Sequence, residues 1–177
     1  MKQNLEDTIA LLGRTPGALD ALLRDLPEAW TIENEGENTW NVADVLRHLV
    51  YVERKDWIAR ARTLRDGGEI GRVDREAHVP EPPKGSLGEL LEEFARLRRE
   101  NLKELGSWKL TDEDLSRRGN HKAFGEVTLS QLLATWAVHD LTHLHQISRI
   151  LAHQYREAVG PWIAYLGVLK CDGHSAQ

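Results

Sequence analysis

The sequence predicts an all-α protein, a four-helix bundle with long crossover loops and a short C-terminal helix. Three observations carry that prediction. Four long segments place apolar residues at three- and four-residue spacing, as a helix with one buried stripe requires. Three of the four open on a pair of residues that can cap a helix. No run alternates apolar and polar residues as a half-buried strand would. With 177 residues the chain has the length of one ordinary domain, here taken as 1–177.

The first segment runs from about Asn4 to Leu26, with Leu5, Ile9, Leu12, Leu19, Leu22, Leu23 and Leu26 on its stripe. Gly13, Pro16 and Gly17 interrupt it, so a kink or break is expected near Pro16. The second opens on Asn41 with Asp44 three residues on, and runs through Val45, Leu49, Val52, Trp57, Ala61 and Leu64 to a Gly67-Gly68 stop. Residues 69–85 carry glycines, three prolines and mixed charges, which read as a surface crossover without regular structure.

Ser86 and Glu89 box the start of the third helix, which continues through Leu90, Leu91, Phe94, Leu97, Leu102 and Leu105. Its charges, Arg96, Arg98, Arg99 and Glu100 among them, read as a solvated face. Residues 107–127 form a second loop, in which Thr111 to Leu115 can make a short capped turn. The fourth helix starts at Thr128, boxed by Gln131, and passes through Leu132, Trp136, His139, His143, Ile147, Ile150 and Leu151 to about Tyr155. Beyond it the run GPWIAYLGVL predicts a short fifth helix on the bundle end, and Asp172 to Gln177 read as a frayed terminus.

Composition narrows the function. The net charge of -5 offers no excess of Lys and Arg for a phosphate backbone, so nucleic acid is not the expected partner. The N-terminal segment carries acids where a signal peptide carries apolar residues, and no stretch approaches a membrane span. One cysteine, Cys171, rules out an internal disulfide framework, which together with the rest makes the cytoplasm the expected compartment. Cys171 shows no local sign of an activated thiolate. The six tryptophans read as core packing.

Candidate chemistry lies on the fourth helix. His139 and His143 are one turn apart and share a face with Trp136, Gln146 and Ile147, which is the apolar stripe. His48 has Val45 three residues before it and Val52 four after it, so it too belongs to an inward stripe. Three buried imidazoles cost about 1 to 3 kcal/mol each if left unpaired, and one divalent metal satisfies all three. Three histidines with an open fourth position suit a catalytic rather than a closed structural site. Zinc and nickel lead the candidates, with iron or manganese behind them.

Of the neighbouring residues, Gln146 can orient water at the ion or simply pack. His145 lies on the other side of the helix and is not expected to be a ligand. Asp140 is turned away and expected in a structural hydrogen bond, and Asp44 in the helix cap. His78, His121, His153 and His174 read as surface histidines.

These residues carry a family resemblance. TWNVADVLRHLVYVERKDW resembles the second-helix signature of the DinB-like superfamily, with a tryptophan ahead of the helix and His48 followed five residues later by Glu53. GEVTLSQLLATWAVHDLTHLHQI resembles its fourth-helix signature, His-Asp-x-x-His-x-x-Gln, and GPWIAYLGVL is similar to its usual ending. The resemblance covers nearly the whole chain and is strongest at residues 39–57 and 125–147. It implies metal binding at the positions of His48, His139 and His143, a homodimer, and chemistry that in characterised members includes thiol-dependent transfer and isomerisation.

The leading expectation is a metal-dependent enzyme acting on a small molecule. It would be either a hydrolase in which the ion activates water or a transferase in which a low-molecular-weight thiol cofactor binds the ion. A non-catalytic stress-response or binding module with a structural metal, and a metal-free polar core, are the competing readings.

Overall fold

The computed structural model describes residues 4–71 and 85–171. The expectations for most of the 69–85 crossover with His78, and for the end beyond Cys171 with His174, lie outside the described residues.

Four limbs build the bundle. The first is α1 (Leu5–Leu12) and α2 (Thr15–Leu23). They part where the glycine and proline predicted it, and Pro16 sits in the first turn of α2, where its missing N–H costs nothing. A single turn, α3 (Ala29–Ile32), follows in the connection to the second limb. That limb is α4 (Val42–Lys55) and α5 (Trp57–Arg65), where one continuous helix was expected. The break falls at Asp56, whose backbone adopts φ -113° and ψ -67°.

The third limb is α6 (Leu87–Ser107) and the fourth is α8 (Leu129–His153), with α7 (Asp112–Ser116) between them. The predicted capping boxes form at Asn41/Asp44, Ser86/Glu89 and Thr128/Gln131, and a further one at Thr111/Asp114 starts α7.

Cross-limb contacts give the direction of each limb. Between the second and third, residue numbers rise together along the limbs, from Arg54 bonding Glu93 to Arg62 bonding Glu104. These limbs are parallel. The second and fourth run oppositely, since His48 lies against His143 while Glu53 accepts from Trp136. The first and third also run oppositely, with Leu12 meeting Arg98 and Arg24 meeting Glu92. The order is up, down, down, up.

Burial divides the interior. One apolar cluster gathers Leu19, Leu23, Leu46, Leu49, Phe94 and Ile150, and a second gathers Leu12, Trp57, Leu64, Leu105, Leu133 and Trp136. A fully buried leucine contributes about 1.5 to 3 kcal/mol, so each cluster is a substantial share of the stability. Between the clusters, in the last turn of α4 and at the middle of α6 and α8, lies a belt of polar side chains.

A small sheet closes one end of the bundle, where no strand was expected. β1 (Glu69–Ile70) runs parallel to β2 (Arg118–His121), which pairs antiparallel with β3 (Gly125–Thr128). Gly119 makes this docking possible: a Cβ there would lie 2.4 Å from Leu64 Cδ2 and 2.5 Å from the Gly68 carbonyl oxygen. After α8, the expected fifth helix is two short 3-10 segments, Gly160–Tyr165 and Gly167–Leu169, with Trp162 and Tyr165 exposed. Among the described residues, no helix is long and apolar enough to cross a membrane.

Candidate metal centre

α8 sets His139 and His143 one turn apart on its inner face, and antiparallel α4 brings His48 opposite them. His48 Nε2 lies 3.0 Å from His139 Nε2, which lies 3.1 Å from His143 Nε2. One ring nitrogen from each histidine falls within 4.8 Å of the others. Nitrogens about 2.0 to 2.1 Å from one ion in tetrahedral geometry stand roughly 3.3 Å apart, close to this spacing. The donor set fits a divalent ion.

Hydrogen bonding prepares the rings for that role. His143 Nδ1 lies 2.8 Å from Gln146 Oε1. An amide oxygen only accepts, so Nδ1 carries the proton and Nε2 keeps a lone pair toward the cluster. Burial lowers the His143 pKa, against smaller opposing effects of Gln146 and Asp140. The neutral ring, the form a metal needs, is favoured. Gln146 therefore orients a histidine.

Aromatic rings wall the cluster. Trp40, half exposed ahead of α4, stacks with His143 at a centroid distance of 6.4 Å and tilts against His48 at 5.2 Å. Its loop is tied down by Glu35, which takes two bonds of 2.7 Å from buried Arg149. On the other side Trp57 meets His139 edge to face at 5.1 Å and stacks on Trp136 at 5.7 Å. Beside His139 opens a cavity of about 670 Å³ between α5, the small sheet and α8.

Behind the histidines lies the belt. Arg98 is 1 % exposed, which corrects its expected place on a solvated face. Its Nη1 donates to the Leu12 carbonyl at 2.7 Å and to Asp140 Oδ2 at 2.6 Å, and its Nη2 to Glu53 Oε1 at 2.8 Å and Asp140 Oδ1 at 2.9 Å. Glu53 also accepts from Trp136 Nε1 and Asn101 Nδ2 at 2.9 Å, and Thr15 Oγ1 donates to Asp140 at 2.6 Å. Burial works against the Arg98 charge, yet Asp140 and Glu53 hold its pKa above the usual value. All four limbs meet in this network. Its sequence signal was spacing: Arg98 follows Phe94 by four residues and precedes Leu105 by seven, on the stripe.

Asp140 makes the structural hydrogen bonds expected of it, and Asp44 caps α4 while also holding Arg47 at 2.5 Å. His145 is exposed and outside the cluster, His153 is half-buried beside Arg156, and Cys171 is exposed. His121 corrects its surface assignment: it is buried, its Nδ1 accepts from the Ala123 N–H at 3.0 Å, and its ring stacks on Phe124 at 4.4 Å.

The model of the DinB superfamily matches residues 11–147. Among solved structures, the chain is similar to YfiT from Bacillus subtilis, described as a probable metal-dependent hydrolase with an unusual four-helix bundle topology. The TM-score is 0.74 at 18% identity, over 87% of this chain and 89% of that one. It is also similar to TT2238, a four-helix bundle protein, with a TM-score of 0.56 at 26% identity over 82% of this chain and 98% of the other. No curated protein matches the chain.

Proposed function

Because the chain belongs to the DinB superfamily, we propose that it is a metal-dependent hydrolase holding one divalent ion through His48, His139 and His143. The observation that carries this is the convergence of three Nε2 atoms, with spacings of 3.0 and 3.1 Å, from two antiparallel helices. Hydrogen bonds alone do not account for it. The His143 Nε2 has no proton, and the one hydrogen that His139 Nε2 can carry serves a single neighbour. An ion bound here with an open position supplies Lewis acidity and lowers the pKa of water.

The protein's own residues supply the rest. Gln146 fixes the His143 tautomer, and the Arg98 network, through Asp140 beside His139, holds α8 against α4 and α6. Trp40 and Trp57 shield the rings from bulk water on two sides, which strengthens electrostatic effects at the centre. The 670 Å³ cavity offers space for a small molecule next to His139. The similarity of fold to YfiT, itself described as a probable metal-dependent hydrolase, supports the same reading.

Metal analysis of protein purified without chelator tests the proposal. About one equivalent of zinc, nickel or a related divalent ion is expected per chain, falling to background in His143→Ala with the helical circular dichroism retained. A metal-free wild type, or full occupancy in the variant, refutes it.

A further inference from the structure

The solvent-facing sides of the two longest helices differ in kind. From Glu89 to Lys103 every exposed residue of α6 is charged: Glu89, Glu92, Arg96, Arg99, Glu100 and Lys103. The exposed residues of α8 are Gln131, Thr135, Val138, Leu141, His145 and Ser148, with no Lys, Arg, Asp or Glu among them. Asp140 and Arg149, the two residues of those types that α8 does contain, are buried and paired inside the molecule. Val138, Leu141, His145 and Ser148 follow at three- and four-residue spacing, so they make one outward stripe. Val138 is 59 % exposed.

The chain then adds apolar surface to the same helix. Gly167–Leu169 packs back on α8, whose inner side is already occupied by α1, α4 and α5, so the tail lies on what the bundle leaves uncovered. Ala158 to Leu169 carry no charge, and the two 3-10 segments bury none of their residues. Trp162 is 69 % and Tyr165 84 % exposed, with their ring centroids 6.4 Å apart, and Ile163 and Leu166 are exposed beside them.

The area has the size of an interface. An aromatic side chain presents about 150 to 250 Å² in all, so Trp162 and Tyr165 alone leave on the order of 300 Å² in water. With Ile163, Leu166, Val138 and Leu141 the figure is roughly 600 Å², the upper end of what a monomer leaves in one apolar patch. One side of a standard interface covers about 800 Å², of which about 60 % is apolar.

Charge selects the occupant. A membrane surface calls for surplus Lys and Arg around the apolar side chains, whereas here Arg156 is met by Glu157 at 3.6 Å and the chain carries a net charge of -5. A second copy calls for a face that does not repel itself. An uncharged stripe flanked by neighbours of opposite sign meets that condition about a two-fold axis.

We propose that the outer stripe of α8 and the tail from Trp162 to Leu166 form a two-fold interface between two copies of this chain. The interface does not depend on the metal centre.

Sedimentation equilibrium of the full-length chain, from about 1 to 100 μM, tests the proposal. Wild type is expected as two chains at the upper concentrations. Tyr165→Glu and Leu141→Glu, which set an acid against its own copy, should each weaken pairing about 30-fold or more, and the milder Trp162→Ala by roughly tenfold. Arg99→Glu, on the charged side of α6, should leave it unchanged. All four positions are exposed in the single chain, so helical circular dichroism should be kept, and Trp162→Ala decides where an introduced acid disturbs the fold. A wild type that stays one chain at about 100 μM, growth beyond two chains, or a folded tail or α8 variant that pairs as tightly as wild type overturns the proposal. A face made for a lipid surface or for a different protein gives the first of those results.

Discussion

Replacing Arg98 with Met removes the one cation that the buried belt places between Glu53 and Asp140. Four hydrogen bonds disappear, to the Leu12 carbonyl, to both Asp140 oxygens and to Glu53 Oε1. Two carboxylates, 3 % and 2 % exposed, are left facing a thioether chain. Removing one partner of a buried ionic cluster costs about 3 to 5 kcal/mol, because the stranded charge has no solvent to return to. For a domain of this size that is a fall in Tm of roughly 6 to 20 °C.

Urea denaturation at constant m-value measures the loss, with near-UV circular dichroism confirming that the native packing is otherwise kept. The decisive arm is Arg98→Met combined with Glu53→Gln and Asp140→Asn, which removes the stranded charges while leaving acceptors for Trp136 and Thr15. It should recover half or more of the deficit. A loss below about 1 kcal/mol in the single variant, or a triple variant no better than the single, would refute the account of the belt as a mutually compensated charge cluster.

Further outcomes follow from the same structure. Gln146→Leu removes the acceptor that fixes the His143 tautomer, and competition with a chromophoric chelator should show metal affinity reduced about 10- to 100-fold; unchanged affinity would remove Gln146 from the site. The lowered pKa of His143 means that the unfolded chain takes up this proton first as pH falls. The neutral ring's contribution is thus intact above about pH 6.5 and is lost as pH falls through the lower folded value. Chelated protein should show a lower urea midpoint at pH 5.5 than at 7.5, with a smaller difference in His143→Gln, and equal differences would exclude His143 as a source. Gly119→Ala forces a methyl against Leu64 and the Gly68 carbonyl, and thermal unfolding should report a loss of about 1 to 3 kcal/mol; a neutral effect would mean that the sheet is not pinned at this contact.

What the chain discloses locally, it disclosed in its letters. Ser86 with Glu89 and Thr128 with Gln131 are cap signals complete within four residues, so those helix starts fall where they were expected. His48, His139 and His143 lie on apolar stripes, and a stripe must face inward, which brought the cluster within reach of periodicity alone. Features that depend on distant partners were hidden.

Arg98 sits among Arg96 and Arg99 with the same chemistry, and only Glu53 and Asp140, on other helices, distinguish it. Arg149 likewise finds Glu35 across 114 residues. The strands are two and four residues long and contain Gly119 and Gly125, too short and too glycine-rich to alternate visibly. His121 owes its burial to that sheet, so misreading one meant misreading the other.

The positions of the histidines along the chain have a mechanical consequence. His139 and His143 belong to one helical turn, but His48 is 91 residues away from His139. An ion shared by all three would act as a removable staple closing a loop of that length, and in the unfolded ensemble such a closure is worth about 4 to 5 kcal/mol by chain-entropy arithmetic. Loading the centre would then tie the second and fourth limbs into one cooperative unit with the rest. Stripping it would loosen the whole bundle as well as the site.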